Sequence, residues 1–323
     1  MASFLPSPCS PVIPDGPKRL FAMISTRSSR AYTPHALRSF FETTGMRGED
    51  RLILINNDDP DFDEIATPFR DHITLITRPE PYGFSKNANT MIEEALRTGS
   101  DLFFMNNDVI FTDNWLAPLT GYEHSILSPI SNREVQYVGS AVVVKTHHVL
   151  NMVTTQAPMD IEHYLASPRM FQAIAEAHNR SSSGLLTLIV FPFFCVRLPQ
   201  SVMQRVGKFD ESFGMAGGED YDYCLRAWLA GFDVQMNLAS YLLHFWGKST
   251  WTAGEKGAPN PSYNIDFLEV FRKKWGEALF QFVLRDKDSL IQSNPEAKAL
   301  LDSRNLPELI RLLMPNKVDI HIS

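Results

Sequence analysis

An α/β fold is predicted, with a mostly parallel central sheet flanked by helices and a helical C-terminal extension. Three features of the sequence predict it. Short apolar segments alternate with amphipathic ones through the first third, a polar triplet stands where the fourth apolar segment ends, and a helical period runs from Asn264 to near the C-terminus.

The elements follow in order. Leu20 to Ile24 reads as the first strand. Thr33 offers a helix N-cap with Pro34 at the first helical position, Leu37, Phe40 and Phe41 share a face, and Gly45 is a stop. Arg51 to Ile55 and Ile73 to Thr77 are the next strands. From Asn87, Ala88, Met91, Ile92, Ala95 and Leu96 keep a helical spacing that ends at Gly99. Asp101 to Met105 is the fourth strand and runs into Asn106-Asn107-Asp108, at the strand end where open α/β sheets gather ligands.

Residues 121–184 read as a variable insertion, with a strand at Gln136 to Val144 and a helix at Pro168 to His178 capped by Ser167. A strand at Leu185 to Val196, a glycine-rich acidic turn at Gly214 to Asp220 and a helix carrying Tyr221, Cys224, Leu225, Trp228 and Leu229 follow; Gly231 closes that helix. A last strand leads through Leu243 to His244. The expected organisation is a flexible proline-rich arm over 1–18, a catalytic domain over 19–276 and a helical extension over 277–323, the surface through which copies of the chain would associate.

Bulk properties exclude several classes. Thirty Lys plus Arg stand against 37 Asp plus Glu, a net charge of −7, so nucleic acid is a poor partner for a chain without concentrated positive charge. The three cysteines, Cys9, Cys195 and Cys224, have neither disulfide-framework nor zinc spacing, and a reducing cytoplasm fits them best. No apolar run approaches the roughly 20 residues that cross a bilayer, and the start lacks the features of a signal peptide, so membrane contact would be peripheral, at the inner face.

Several residue groups could carry chemistry. Asp108 at a strand end suits a hard divalent cation, and His244 at a later one adds a nitrogen that favours manganese over magnesium. Taken alone, an Asn-Asn-Asp triplet is more often a turn, and a lone His more often packed or on the surface. In Gly217-Gly218-Glu219-Asp220, two glycines would bring backbone close to a ligand and two carboxylates stand at a helix entrance, either as a general base or as a helix cap. Asp222 reads as a solvated charge. Lys86 lies near a helix start that attracts phosphate; its plain alternative is an exposed lysine. Ser25, Thr26 and Arg27 after the first strand, and Asn56, Asn57 and Asp58 after the second, sit where a nucleoside would bind, although turn chemistry also explains them.

Taken in order, these segments resemble family 2 glycosyltransferases of the GT-A fold, from about Leu20 to Trp275. The carriers are Ile24-Ser25-Thr26-Arg27, Asn56-Asn57, Gly83 to Asn87, Asn106-Asn107-Asp108, the block Val206 to Phe213 with Glu219-Asp220 and Arg226, His244, and Asn264 to Gly276 with Phe271, Lys274, Trp275 and Gly276. The resemblance implies an inverting transferase with Asp220 as general base and Glu219 orienting the acceptor. It implies a metal on Asp108 and His244, Lys86 at the diphosphate, and a nucleotide-sugar subsite that also takes in Asn106, Asn107, Gly217 and Gly218. A UDP-sugar is the favoured donor and a glycan or lipid-linked species the acceptor. This chain departs from the pattern where Asn56 replaces a base-contacting Asp, with Asp58 a substitute, and where Asn106 replaces the first acid of the metal motif. Those departures keep a non-catalytic nucleotide-sugar binder in view, and a sugar-phosphate nucleotidyltransferase shares the sheet and metal but lacks support from any glycine-rich loop after Ile24.

Overall fold

The computed structural model describes residues 16–132, 161–245, 248, 267–285 and 287–314. The first strand, β1 (Lys18–Ser25), pairs in parallel with β2 (Arg51–Asn56) and β4 (Ser100–Asn106), and β2 pairs in parallel with β3 (Ile73–Thr77). Beyond β4 the sheet becomes mixed. β8 (Cys195–Leu198) runs antiparallel to β4 and to β6 (Ser125–Ser131), and the long β9 (Asp233–His244) runs parallel to β6. The short β5 (Val109–Ile110) and β7 (Leu185–Thr187) pair antiparallel with β9. The path is β3-β2-β1-β4-β8-β6-β9-β5 with β7 beside β9, so β1 to β4, β6 and β9 all point the same way. Their C-terminal ends therefore share one rim, which carries Ser25, Asn56, Asn106 and His244.

The period-2 pattern of the strands divides the core in two. Leu20, Ala22, Ile53, Ile55, Leu102 and Phe104 face one cluster, and Phe21, Met23, Leu52, Leu54, Phe103 and Met105 face the other. Helix α1 (Thr33–Thr43) covers the second face, where Phe40 meets Phe21 edge-on and Trp115 packs against Phe111. On the first face lie α3 (Phe84–Thr98), α6 (Gln200–Val206) and α7 (Glu219–Leu229); the brief α2 (Asp63–Ala66) follows β2, and α4 (Ile161–Ala166) and α5 (Pro168–Ser181) precede β7. After α8 (Phe267–Leu279), which breaks at Gly276 with φ of 84°, come a π-helical turn, α9 (Ser289–Gln292), α10 (Pro295–Asp302) and α11 (Leu306–Leu313). Their apolar residues, among them Phe280, Ile291 and Ile310, join the first core cluster.

Strands β1 to β4 fall where the periodicity places them, within a residue or two at each end. Three readings change. Tyr32, not Thr33, occupies the N-cap position of α1, because the Thr33 hydroxyl is drawn inward to Ser25 Oγ at 2.7 Å. Ser167 stands at the N-cap of α5 but its side chain makes no cap hydrogen bond. The apolar run from Leu185 to Val196 is not one strand; it ends as β7 at Thr187 and resumes as β8 at Cys195, with Pro192, which has no N–H to offer a ladder, in the gap. The expected strand at Gln136 to Val144, and the arm up to residue 15, lie outside the described residues.

At the opposite end of the sheet Arg197 and Asp101 form a buried pair, Nη2 to Oδ2 at 2.7 Å, with each side chain at most 2% exposed. Asp101 also accepts from the Gln200 N–H that opens α6. Removing one partner strands the other charge without water, so Arg197→Met should destabilise the protein by about 3–5 kcal/mol in urea unfolding, and the double change Arg197→Met with Asp101→Leu should recover much of that loss.

Candidate active site

The rim is built loop by loop from short polar side chains. Asn107, fully buried, donates through Nδ2 to Ser29 Oγ and Thr33 Oγ1, both at 2.7 Å, and lies 3.3 Å from Ser25 Oγ, so it clasps the loop that follows β1. Asn56 turns back on its own loop, donating to the Asp59 carbonyl at 2.8 Å and accepting from the Asp59 N–H at 2.9 Å. Asn57 pins Tyr82 through both its N–H and its carbonyl, each at 3.0 Å, and accepts from Asn87 Nδ2 at 3.0 Å. The Asp58 carboxylate accepts from the Arg27 N–H at 2.6 Å and so ties the first two loops together. Burial raises its pKa despite that bond. Thr26 closes the first loop through Ser28 and Ser29. A nucleoside is expected at these positions; the side chains of Asn56 and Asn107 are engaged in holding the loops that would form its floor.

Lys86 is exposed in the first turn of α3, with its ammonium 3.5 Å from the Tyr82 ring centroid and Arg78 on the same ring at 4.8 Å. Gly83, just before, cannot carry a side chain: a Cβ there would lie 2.3 Å from the Gly214 carbonyl oxygen. This close approach brings the loop before α7 against the start of α3, fixed by the Phe84 N–H to the Met215 carbonyl at 2.8 Å.

Asp108 and His244 meet because β5 pairs antiparallel with β9 and sets Val109 opposite His244. Asp108 Oδ1 lies 3.5 Å from His244 Nε2, and both side chains are buried. The second oxygen, Oδ2, accepts from the Lys248 N–H at 3.1 Å, and the imidazole stacks on Phe194 with centroids 4.8 Å apart. Burial works to raise the Asp108 carboxyl, but the facing imidazole and the Lys248 N–H outweigh it and hold it below its ordinary value. Oδ1 accepts no hydrogen bond among the described residues. An unpartnered carboxylate oxygen beside an imidazole nitrogen is a donor set that fits two positions of a divalent cation. No group of three or more His, Cys, Asp or Glu with metal-binding placement occurs among the described residues.

The acid pair opens α7. Gly217 and Gly218 both have positive φ, and the space where their side chains would lie is filled by the Phe267 ring, 2.8 Å from a Cβ at 217, with Phe213 3.2 Å from one at 218. Packing thus explains both glycines. Glu219 is buried and its Oε2 lacks a partner among the described residues, whereas half-buried Asp220 accepts from the Phe193 N–H at 3.3 Å and the Tyr221 N–H at 2.8 Å. Burial, then the neighbouring Asp220, pushes the Glu219 pKa up, and burial raises Asp220 against the pull of its backbone donors. The two titrate as a pair.

The dipeptide Phe193-Phe194 brings these groups together. Its first N–H holds Asp220, its second ring covers His244, and its Phe194 carbonyl accepts from the Asn106 N–H at 2.7 Å. β8 starts at Cys195, antiparallel to β4, so the segment whose N–H holds Asp220 lies beside the end of β4 that leads into Asn106 to Asp108. The sequence offers no sign of this role, since neither Phe differs in pattern from core neighbours. Asp222 is a correction: the expected solvated charge is fully buried, with Arg226 Nε and Trp275 Nε1 each donating to it at 2.9 Å.

Residues 22–123 match glycosyl transferase family 2. No curated protein matches the sequence. Among solved structures, the chain is similar to GalNAc-T7 with UDP, GalNAc and Mn2+, at 12% identity and a TM-score of 0.56 over 90% of this chain and 55% of that one. It is similar to the mannosyltransferase PcManGT from Pyrobaculum calidifontis in complex with GDP-Man and Mn2+, at 11% identity, TM-score 0.48, 93% of this chain and 87% of that one. It also resembles S. aureus TarS 1-349 with UDP, at 12% identity, TM-score 0.42, 70% of this chain and 60% of that one. The chain thus spans about half the length of GalNAc-T7. It has the GT-A fold.

Because the Glu219 pKa is raised on folding, the native state holds this proton more tightly than the unfolded chain does. Its cost to stability is absent below the ordinary carboxylate pKa and grows as pH rises through the raised value. Glu219→Gln should therefore raise Tm by about 2–4 °C near pH 9 and by much less near pH 5, as read by calorimetry in buffers of matched ionic strength.

Proposed function

We propose that the protein is an inverting glycosyltransferase that moves a sugar from a nucleoside diphosphate to a hydroxyl acceptor. The observation that carries this reading is the meeting of two sets of groups at one rim: the acid pair and the Asp108–His244 pair, joined through Phe193-Phe194. Ser25, Thr26, Arg27, Asn56 and Asp58 form the loops that receive the nucleoside. Lys86, in the first turn of α3, lies on the diphosphate side, with Gly217 and Gly218 toward the sugar. A UDP-sugar is the favoured donor; the similar structures named above hold UDP or GDP-mannose.

Asp220 is the general base. Its carboxylate takes the proton of the acceptor hydroxyl, the freed oxygen lone pair forms the new bond to the anomeric carbon, and the bond to the diphosphate oxygen breaks with its electrons leaving on the diphosphate. Displacement from the opposite face inverts the anomeric configuration. Glu219, one residue away, orients the acceptor. Asp108 and His244 would hold a divalent metal, with manganese favoured over magnesium by the imidazole, and when bound it would offset charge on the departing diphosphate. The acceptor is read as a glycan or a lipid-linked precursor.

The place of work is read as the cytoplasm; any membrane contact would be peripheral, at the inner face. Cys195 and Cys224 are buried free thiols, and no helix among the described residues is long and apolar enough to cross a bilayer. A silent sugar-nucleotide binder is the second reading, favoured by Asn106 standing where the metal motif has its first acid.

The two are separated by donor turnover. Asp220→Asn should lower nucleotide release from a cleaved sugar donor by about 100-fold or more while donor affinity changes little, measured by turnover and titration calorimetry on the same preparation. Equal loss of binding would move Asp220 to another role, and a wild-type protein that binds but never cleaves any donor would support the silent binder. The wild-type rate should rise with pH through a value above the ordinary carboxylate range, because a base must be deprotonated and both acids are raised. Asp108→Ala should remove the effect of manganese on donor affinity without abolishing folding.

A further inference from the structure

Asp222 lies one helical turn beyond Glu219 on α7, on the same face, and has no exposed surface. Besides the Arg226 and Trp275 donors, Lys274 Nζ lies 2.7 Å from its Oδ1. The same ammonium reaches Asp210 Oδ2 at 2.6 Å, and Asp210 caps the turn of residues 211–213 by accepting from the Ser212 N–H at 3.0 Å. Lys274 thus spans from α8 to both the turn that precedes the glycines and the helix that carries the acid pair. At the other end of α8, Phe267 fills the space beside Gly217 and Gly218. Helix α8 therefore grips the acid-bearing segment at two points, one apolar and one charged.

An exposed lysine pair would contribute little, but Asp222 has no water to screen it, so its charge is felt along the helix. We propose that Lys274 is a positioning residue for the acid pair: by bridging Asp210 and Asp222 it fixes the start of α7 on α8 and offsets the charge that Asp222 places one turn from Glu219. The proposal rests on reading that pair as the reacting group. The other groups that face the pair are consistent with this assignment. On α7 itself, Tyr223 and Cys224 are pushed up by burial and stay neutral, and Arg226 is held by Asp222 and the Val206 carbonyl. From the preceding turn comes Asp210, which burial would raise but which Lys274 and Ser212 hold well below the usual range. The segment before β8 offers a backbone N–H, that of Phe193.

The two partners make opposite predictions. Loss of Lys274 leaves Asp222 with less positive charge and should make the acid pair hold its protons more tightly, whereas loss of the Asp222 charge leaves Lys274 in excess and should make them leave more readily. Simple loosening of α8 would move both variants in one direction.

Carboxyl 13C NMR of the full chain, with Glu219 and Asp220 assigned through Glu219→Gln and Asp220→Asn, reads this without any turnover. Lys274→Met should move the titration midpoints up by about half a pH unit or more, Asp222→Asn should move them down, and Lys274→Arg should restore values near wild type. Unchanged midpoints in folded Lys274→Met, or shifts of one sign in both variants, would overturn the proposal. Should Lys274→Met fail to fold, Asp222→Asn decides alone: a fall supports the assignment and no fall rejects it. A protein that shows the opposed shifts yet transfers no sugar would refute the base role of Asp220 and leave the positioning of the pair intact.

Discussion

The Phe193-Phe194 dipeptide, through the backbone groups at its two ends and its second ring, is the constraint on which the rest of the site depends. The pairing of β5 with β9 already fixes the end of β9 beside the segment that follows β4, and the dipeptide adds the start of α7 to that rim. One N–H, one carbonyl and one ring make its contacts. The dipeptide is itself held by the antiparallel register of β8 on β4, with Cys195 opposite Met105, so the geometry of the acids derives from the sheet and not from a free loop.

Polar residues around it divide into those that build and those left to act. Asn56 uses both ends of its amide on its own loop, Asn57 uses both on the segment around Tyr82, and Asn107 donates to the loop after β1. Asp108 Oδ1, Glu219 Oε2 and also Asn107 Oδ1 are buried oxygens without hydrogen-bond partners among the described residues. Buried acceptors left so are costly, and their clustering at one rim is what a site awaiting a ligand would show.

Much of this was legible in the sequence. The strands β1 to β4 follow from local alternation, and the triplet Asn106 to Asp108 and the acids 219 and 220 lie at element boundaries that glycine and periodicity mark. What could not be read depends on distant partners. Asp222 looks solvated because, two residues on from Asp220, it points elsewhere on the helix, and Trp275, 53 residues away, with Lys274 beside it, shows that this face is covered. Thr33 looks like a cap until Ser25 and Asn107 are seen to compete for its hydroxyl. The run Leu185 to Val196 reads as one strand since hydrophobicity does not record that Pro192 and the turn toward Asp220 interrupt it. The glycines at 217 and 218 look like ligand contacts, and the side chain that needs their space, Phe267, lies about fifty residues on.

The central claim is that one cleft holds both pairs. A crystal structure of the protein with UDP and Mn2+, phased to show anomalous signal, tests it most directly. The account predicts a manganese peak contacting both Asp108 Oδ1 and His244 Nε2, diphosphate oxygens on its open side, and the Asp220 carboxylate facing the space beyond the terminal phosphate. Manganese bound elsewhere, or protein standing between the diphosphate and Asp220, would contradict it.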